Sequence, residues 1–196
     1  LNMTDGYRGG MTIEDSIEVA RMLQEDGTVD AIELTAGSSI GNPMYLFKGA
    51  APTVEFGANM PWYLRGGFRL VGSKFLKTYP YSELYFLSMA ERYLEVLDVP
   101  LILLGGISTL DSARAGIDAG FEFVAMARAL LHRPNIVANW EREENTVSGC
   151  LHCNRCMPTI YTGTRCPLMD PEPGDRPIVV PPWAADRPVT GTAQRI

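Results

Sequence analysis

The chain has 196 residues, with 17 Lys and Arg against 23 Asp and Glu, a formal net charge of −6. Hydrophobic residues make up 46% and charged residues 20%, which excludes a mainly disordered or fibrous chain. An acidic balance with pI near 5.0 argues against a protein that holds nucleic acid by general attraction to phosphates.

In chain order, Leu1-Asn2-Met3 reads as the end of a strand entered partway. It leads through Thr4-Asp5-Gly6-Tyr7-Arg8-Gly9-Gly10 to Thr12, whose partner Asp15 three residues on is an N-cap signature. Ile13, Ile17, Ala20 and Leu23 then fall on one helical face, and Asp26-Gly27 ends that helix. Ala31-Ile32-Glu33-Leu34-Thr35 is a short strand. Residues 40–61 read as irregular. Residues 62–76 read as partly helical, interrupted by Gly66, Gly67 and Gly72, with Trp62 and Tyr63 as a core anchor. Over 81–97, Leu84, Leu87, Ala90, Leu94 and Leu97 repeat at helical spacing. Pro100-Leu101-Ile102-Leu103-Leu104 is the strongest buried strand. Ser108 or Thr109 caps a helix over 110–119, stopped by Gly120. A last strand covers 121–126, and a helix begins at Arg128.

Strands alternating with helices predict a parallel sheet with right-handed crossovers, covered on both faces. An open α/β sheet and a (β/α)8 barrel both fit. A barrel takes about 250 residues and eight strands. Four strands at most are present, so the barrel reading is of half a barrel.

Two strand-to-helix junctions carry candidate chemistry. Leu104-Gly105-Gly106-Ile107-Ser108 lets backbone approach a ligand closely, and Met126-Ala127-Arg128 brings a guanidinium to the next junction. Together they suit a phosphate; the plain alternative is a tight turn and a surface arginine. No G-x-G-x-x-G dinucleotide fingerprint is present. Cys150, Cys153, Cys156 and Cys166 form C-x2-C-x2-C-x9-C and are the chain's only cysteines. Four thiolates so spaced suit a [4Fe–4S] cluster or a tetrahedral zinc ion, and free thiols are the third reading. His152, between two of them, is expected to point elsewhere, and Arg155 and Arg165 to offset thiolate charge. Glu33, Asp5, His132 and the loop tyrosines Tyr7, Tyr45, Tyr79 and Tyr81 form no visible acid–base pair or triad. Seven of the fourteen prolines lie in the last thirty residues, which read as an extended tail.

These pieces, in this order, resemble the Old Yellow Enzyme-like NADH:flavin oxidoreductases, relatives of 2,4-dienoyl-CoA reductase and trimethylamine dehydrogenase. The matching residues are Gly9-Gly10-Met11-Thr12-Ile13-Glu14-Asp15, the strand and Gly-Gly at 100–107, the run 122–135 with Ala127-Arg128 and Arg133-Pro134-Asn135, and the cysteine segment. The resemblance covers residues 1–168. It implies the C-terminal half of a TIM barrel with an FMN site at its mouth, the phosphate resting at Gly105, Gly106, Ala127 and Arg128. It also implies NAD(P)H as hydride source, an alkene or enone-like acceptor, and a [4Fe–4S] cluster on Cys150, Cys153, Cys156 and Cys166. The family has Gly-Arg-Pro where this chain has Ala127-Arg128-Ala129, and a longer final cysteine gap. Its proton donor and substrate-polarising pair match nothing in this chain.

The expected organisation is a half barrel at 1–148, a cysteine segment at 149–168 and a Pro-rich tail or linker at 169–196. Because the chain opens on Leu1, it is expected to be a piece of a cytoplasmic enzyme whose other half-barrel comes from the same protein or from an oligomeric partner. No nucleic-acid or membrane partner is expected. The competing expectation is a non-catalytic half-barrel module that binds a phosphorylated ligand or a structural zinc.

Overall fold

The computed structural model describes residues 1–187 and the backbone of residues 193–194. Its centre is a parallel sheet of three strands, β1 (Ile32–Leu34), β2 (Leu101–Leu104) and β3 (Phe123–Ala125), in the order β1-β2-β3. Ile32 stands beside Leu101, and Leu103 beside both Leu34 and Val124. Residues 1–3 run parallel to the far edge of β1 through a single bridge, Asn2 to Thr35. Met3 N–H donates to Thr35 O at 2.7 Å, and Thr35 N–H to Leu1 O at 2.9 Å. Three strands and a bridge thus stand where four strands are expected.

Helices cover one face of this sheet. Helix α1 (Ile13–Glu25) starts from a complete capping box between Thr12 and Asp15. Helix α2 (Thr53–Ala58) and helix α3 (Trp62–Phe75) form a hairpin between β1 and β2. Helix α4 (Leu87–Leu94) precedes β2, and α5 (Leu110–Asp118) follows it from a second capping box between Thr109 and Ser112. Two short helices, α6 (Arg128–His132) and α7 (Ile136–Trp140), follow β3. The core joins Ile32, Leu34, Leu101 and Leu103 to Ala20, Phe86, Ala90, Tyr93, Ala113 and Phe121. Each large side chain buried there contributes about 1.5–3 kcal/mol. Tyr93 OH donates to Ser16 Oγ at 2.7 Å, and Ser16 Oγ donates to Asn2 O at 2.8 Å, tying α4 to α1 and to the first residues.

The other face of the sheet is open, contrary to the expectation of cover on both sides. Glu33 and Phe123 are exposed, and Ile102 and Leu104 are half-buried.

Three further expectations are corrected. The helix foreseen over 81–97 begins only at Leu87, because residues 81–86 are captured by the loop after β2. Leu84 N–H bonds Gly106 O at 2.8 Å, with Leu84 at φ 54°. The stretch 40–61 is not wholly irregular, since it holds α2 and a 3₁₀ turn, Pro43–Tyr45. Trp62 and Tyr63 do not anchor a core. Trp62 is 81% exposed, and the two rings meet edge to face on the surface. The three glycines do not break α3. Phe68 lies against both Gly57 and Gly72, where a Cβ would crowd its ring.

The Pro-rich segment, as far as residue 187, does not extend away as a linker. Leu168, Ile178 and Ala184 bury themselves against Leu151 in a second small core. Trp183 Nε1–H reaches Leu151 O at 3.3 Å. Residues 188–192 and 195–196 of the expected tail lie outside the described residues. Among the described residues no helix is long and apolar enough to cross a membrane.

Candidate functional site

Beyond the C-terminal ends of β2 and β3 lies a cavity of about 270 Å3. Gly105, Gly106, Ala127 and Arg128 all line it, so the structure brings the two expected junctions together. Tyr81, Tyr85 and His152 complete its polar and aromatic wall. The strand ends place these groups because both junctions leave neighbouring parallel strands at the same level: Leu104 stands beside Ala125.

Gly105 and Gly106 have φ of 112° and 79°, a region that favours glycine. A side chain at Gly105 would strike the Phe86 ring, and one at Gly106 would strike the backbone of Ser82 and Leu84. The two glycines therefore let residues 82–86 pack on the turn. Glu83 locks that contact. Its carboxylate accepts from Ser108 N–H at 3.1 Å, Ser108 Oγ at 2.5 Å and Tyr81 OH at 2.9 Å.

Arg128 is held by neutral oxygens. It donates to Lys48 O at 2.9 Å, Asn154 Oδ1 at 2.6 Å and, more loosely, Tyr85 OH at 3.4 Å. Among the described residues no carboxylate lies within ion-pair distance of it. A half-buried guanidinium without a counter-charge is suited to an anionic ligand. Lys48 adds a second cation, its Nζ 5.1 Å from the centre of the Tyr85 ring, and burial lowers its pKa.

His152, expected to point elsewhere, is a wall of the cavity. Its ring is buried and stacks on Tyr81 with centroids 3.3 Å apart and planes 8° from parallel. Nδ1 lies 3.8 Å from Cys150 Sγ, and Nε2 has no hydrogen-bond partner among the described residues. Burial, then Arg128 and Arg187, depress the imidazole pKa far below its ordinary range, so the ring is neutral. Its backbone sits at φ 51° and its carbonyl accepts from Ala50 N–H at 3.0 Å. The sequence signal for this residue was its place between two cysteines, which points to a metal rather than to the adjoining cavity.

The four cysteines lie within one another's electrostatic reach but are not gathered round a point. Burial chiefly, and each other's charge, push the thiols up, Cys153 to about 11 and Cys156 to about 12. Burial also raises Cys150 and Cys166. Among the described residues no three Cys, His, Asp or Glu side chains converge to hold a metal ion. The reason is orientation. Cys150 faces His152, Cys153 and Cys166 pack against the small core around Leu151, and Cys156 lines a separate apolar cavity with Phe47, Phe56 and Leu131. A tetrahedral zinc ion needs four sulfurs about 2.3 Å from one centre, and this arrangement does not present that.

As expected, Arg155 acts to lower the Cys153 thiol and Arg165 the Cys166 thiol, although each also holds a carboxylate. Arg155 pairs with Glu55 at 3.2 Å and Arg165 with Asp175 at 2.7 Å. The cations that act on Cys150 are Arg128 and Arg187. Arg187 comes from the C-terminal segment, pairs with Glu83 at 2.5 Å, and donates to Ser148 O at 3.1 Å and Cys150 O at 3.4 Å.

Asp5, Tyr45 and Tyr79 serve structure. Asp5 accepts from Asn2 Nδ2 and Met11 N–H, both at 2.8 Å. Tyr45 packs on Tyr79 and Phe86, and Tyr79 OH bonds Asn42. Tyr81 lines the cavity, but burial followed by the Glu83 charge raises its phenol far above the usual value, which makes it a poor proton donor.

No protein-family model matches this chain. Among curated proteins it is similar to the 4,4'-dithiodibutanoate disulfide reductase of Rhodococcus erythropolis, 47% identical over 170 residues. Those residues make up 87% of this chain and 42% of that protein, so the chain spans less than half the length of its relative. By its name that relative is an oxidoreductase.

Proposed function

We propose that the chain is the flavin-phosphate part of an FMN-dependent oxidoreductase of the Old Yellow Enzyme-like family. The observation that carries this reading is Arg128: a guanidinium fixed by neutral oxygens beside Gly105 and Gly106, with no counter-charge among the described residues. At about 270 Å3 the cavity falls just below the ~300–1,000 Å3 of ligand pockets, which suits one end of a cofactor rather than the whole. The open sheet face with Ile102 and Phe123 supports a partial barrel whose interior is completed by further strands.

In this reading Arg128 pairs with the phosphate, and His152 Nε2 offers a neutral polar contact to the same ligand. Tyr81 and His152, stacked, exclude water from one side, and Glu83 holds the Gly-Gly turn in place. FMN supplies the capacity to take two electrons from NAD(P)H and pass them on. The name of the relative directs the acceptor towards a small organic disulfide. Two electrons and two protons, one of them carried with the hydride and one from solvent, convert it to two thiols. An alkene or enone acceptor stays within the same reading, as an arm of the activity assay. The four cysteines are assigned to an iron–sulfur cluster, whose thiolates stand farther apart than those on a single zinc ion. Their C-x2-C-x2-C-x9-C spacing supports this assignment, while among the described residues the side chains do not converge on one centre.

The test compares FMN with riboflavin, which lacks only the phosphate, by quenching of flavin fluorescence. FMN is expected to bind at least about ten-fold tighter, and Arg128→Ala to abolish the difference. Equal affinity for the two flavins in the unaltered protein overturns the reading.

A further inference from the structure

The α2–α3 hairpin takes no part in the cavity and differs in chemistry from the rest of the chain. Between Glu55 and Glu83 there is no acidic residue, while Arg65, Arg69, Lys74 and Lys77 fall within or just beyond α3. The chain as a whole carries −6, so this is a local reversal of charge. Among the described residues none of the four is in an ion pair. Arg65 is spent on the end of α2, donating to Ala58 O and Met60 O at 2.9 Å each, but its charge remains uncompensated.

The apolar side chains of α3 are equally unusual. Leu64, Phe68, Val71 and Phe75 recur at intervals of four, three and four, one stripe of a helix. Phe68 is tucked between Gly57 and Gly72, while Leu64, Val71 and Phe75 are exposed. Trp62, Tyr63 and Leu70 are exposed too, Leu70 by 81%. Apart from Phe68, only Gly72 and Leu76 at its end turn towards the protein. Basic residues interleaved with Trp, Tyr, Leu and Phe on a helix too short to span a bilayer are the composition of helices that lie in a membrane interface.

We propose that α3 is a docking surface for an anionic lipid bilayer, with its apolar side chains entering the headgroup boundary and Arg69, Lys74 and Lys77 meeting lipid phosphates. The charge pattern decides the occupant. A surface with four cations and no anion suits a negatively charged partner, and in a two-fold contact of this face with itself a second copy would set its own equally basic helix against it.

The experiment adds vesicles to the whole chain and follows tryptophan emission. Of the other two tryptophans Trp140 is buried and bonded to Thr146 O, and Trp183 is partly buried and bonded to Leu151 O, so a blue shift that disappears in Trp62→Phe reports on α3. Vesicles of phosphatidylcholine with about one third phosphatidylglycerol are expected to bind at least about ten-fold more tightly than phosphatidylcholine alone, with binding weakened by salt. Arg69→Glu with Lys74→Glu is expected to cost at least about ten-fold, and Leu70→Ser to weaken binding to both vesicle types. All three positions are exposed, and an unchanged circular dichroism spectrum checks the fold. Equal binding to both vesicles, or no effect of the charge reversal, overturns the proposal. So does self-association by light scattering that Leu70→Ser abolishes while vesicles leave Trp62 unaffected, since it assigns the face to a second copy.

Discussion

The Glu83–Arg187 pair fastens the C-terminal segment to the turn that borders the cavity, and its strength is open to a direct measurement. Glu83 accepts from Tyr81, from Ser108 twice and from Arg187, whose Nη2 is 2.5 Å away. The two side chains are 31% and 15% exposed. Breaking a fully buried pair costs about 3–5 kcal/mol, and an exposed one about 0–1. Partial exposure places Arg187→Met or Glu83→Gln near 2 kcal/mol, roughly a thirty-fold change in the unfolding constant. In a double-mutant cycle by urea denaturation the coupling should be about 1–1.5 kcal/mol. Arg114 and Glu144 are 2.7 Å apart but 54% and 66% exposed, and supply the control, where the same cycle should give no measurable coupling. Equal coupling at the two sites would mean that Arg187 is a surface contact and that the segment is not fastened by it.

Two more outcomes follow from the cysteine segment. His152 stays neutral when folded, whereas the unfolded chain binds a proton at about pH 6.5. Stability is therefore full above that pH and falls below it, approaching about 1.4 kcal/mol per pH unit from this residue. His152→Gln should flatten urea midpoints between pH 6.5 and 5.5, and parallel slopes for the two proteins would contradict the buried neutral ring. Gly49 sits at φ 141°, and a Cβ there would overlap the His152 carbonyl. Gly49→Ala should cost about 1–3 kcal/mol and speed alkylation of the cysteines, and an unchanged urea midpoint would show that residues 150–154 are not docked on this loop.

Local signals carried the fold where local physics decides it. Thr12 with Asp15 and Thr109 with Ser112 cap α1 and α5 because a capping box needs only four residues. The apolar run of β2 and its Gly-Gly exit likewise announce a buried strand and a turn. Legibility fails where distant contacts override periodicity. Leu84 has the spacing of a helical residue, yet Gly106 lies close enough to pull it into a left-handed turn. Trp62 has the composition of a core residue, but nothing in a sequence says that its helix is left uncovered. The two cavity-lining junctions were readable because strand ends in a parallel sheet share a level. His152 was not, since its position depends on a loop a hundred residues earlier, and the facing of each cysteine depends on Leu151, Leu168 and Phe56 rather than on spacing.

The hold on the cysteine segment is written in main-chain atoms. Asn154 Nδ2 donates to Phe47 O at 2.6 Å and Ala50 O at 3.0 Å, Arg128 to Lys48 O, and Ala50 N–H to His152 O. None of these four contacts uses a side chain from residues 47–50. Positions 47, 48 and 50 are thus free to drift in evolution as far as this docking is concerned, while Gly49, Arg128 and Asn154 are not. An engineer wishing to retune the apolar cavity through Phe47 could do so without removing any of these main-chain hydrogen bonds.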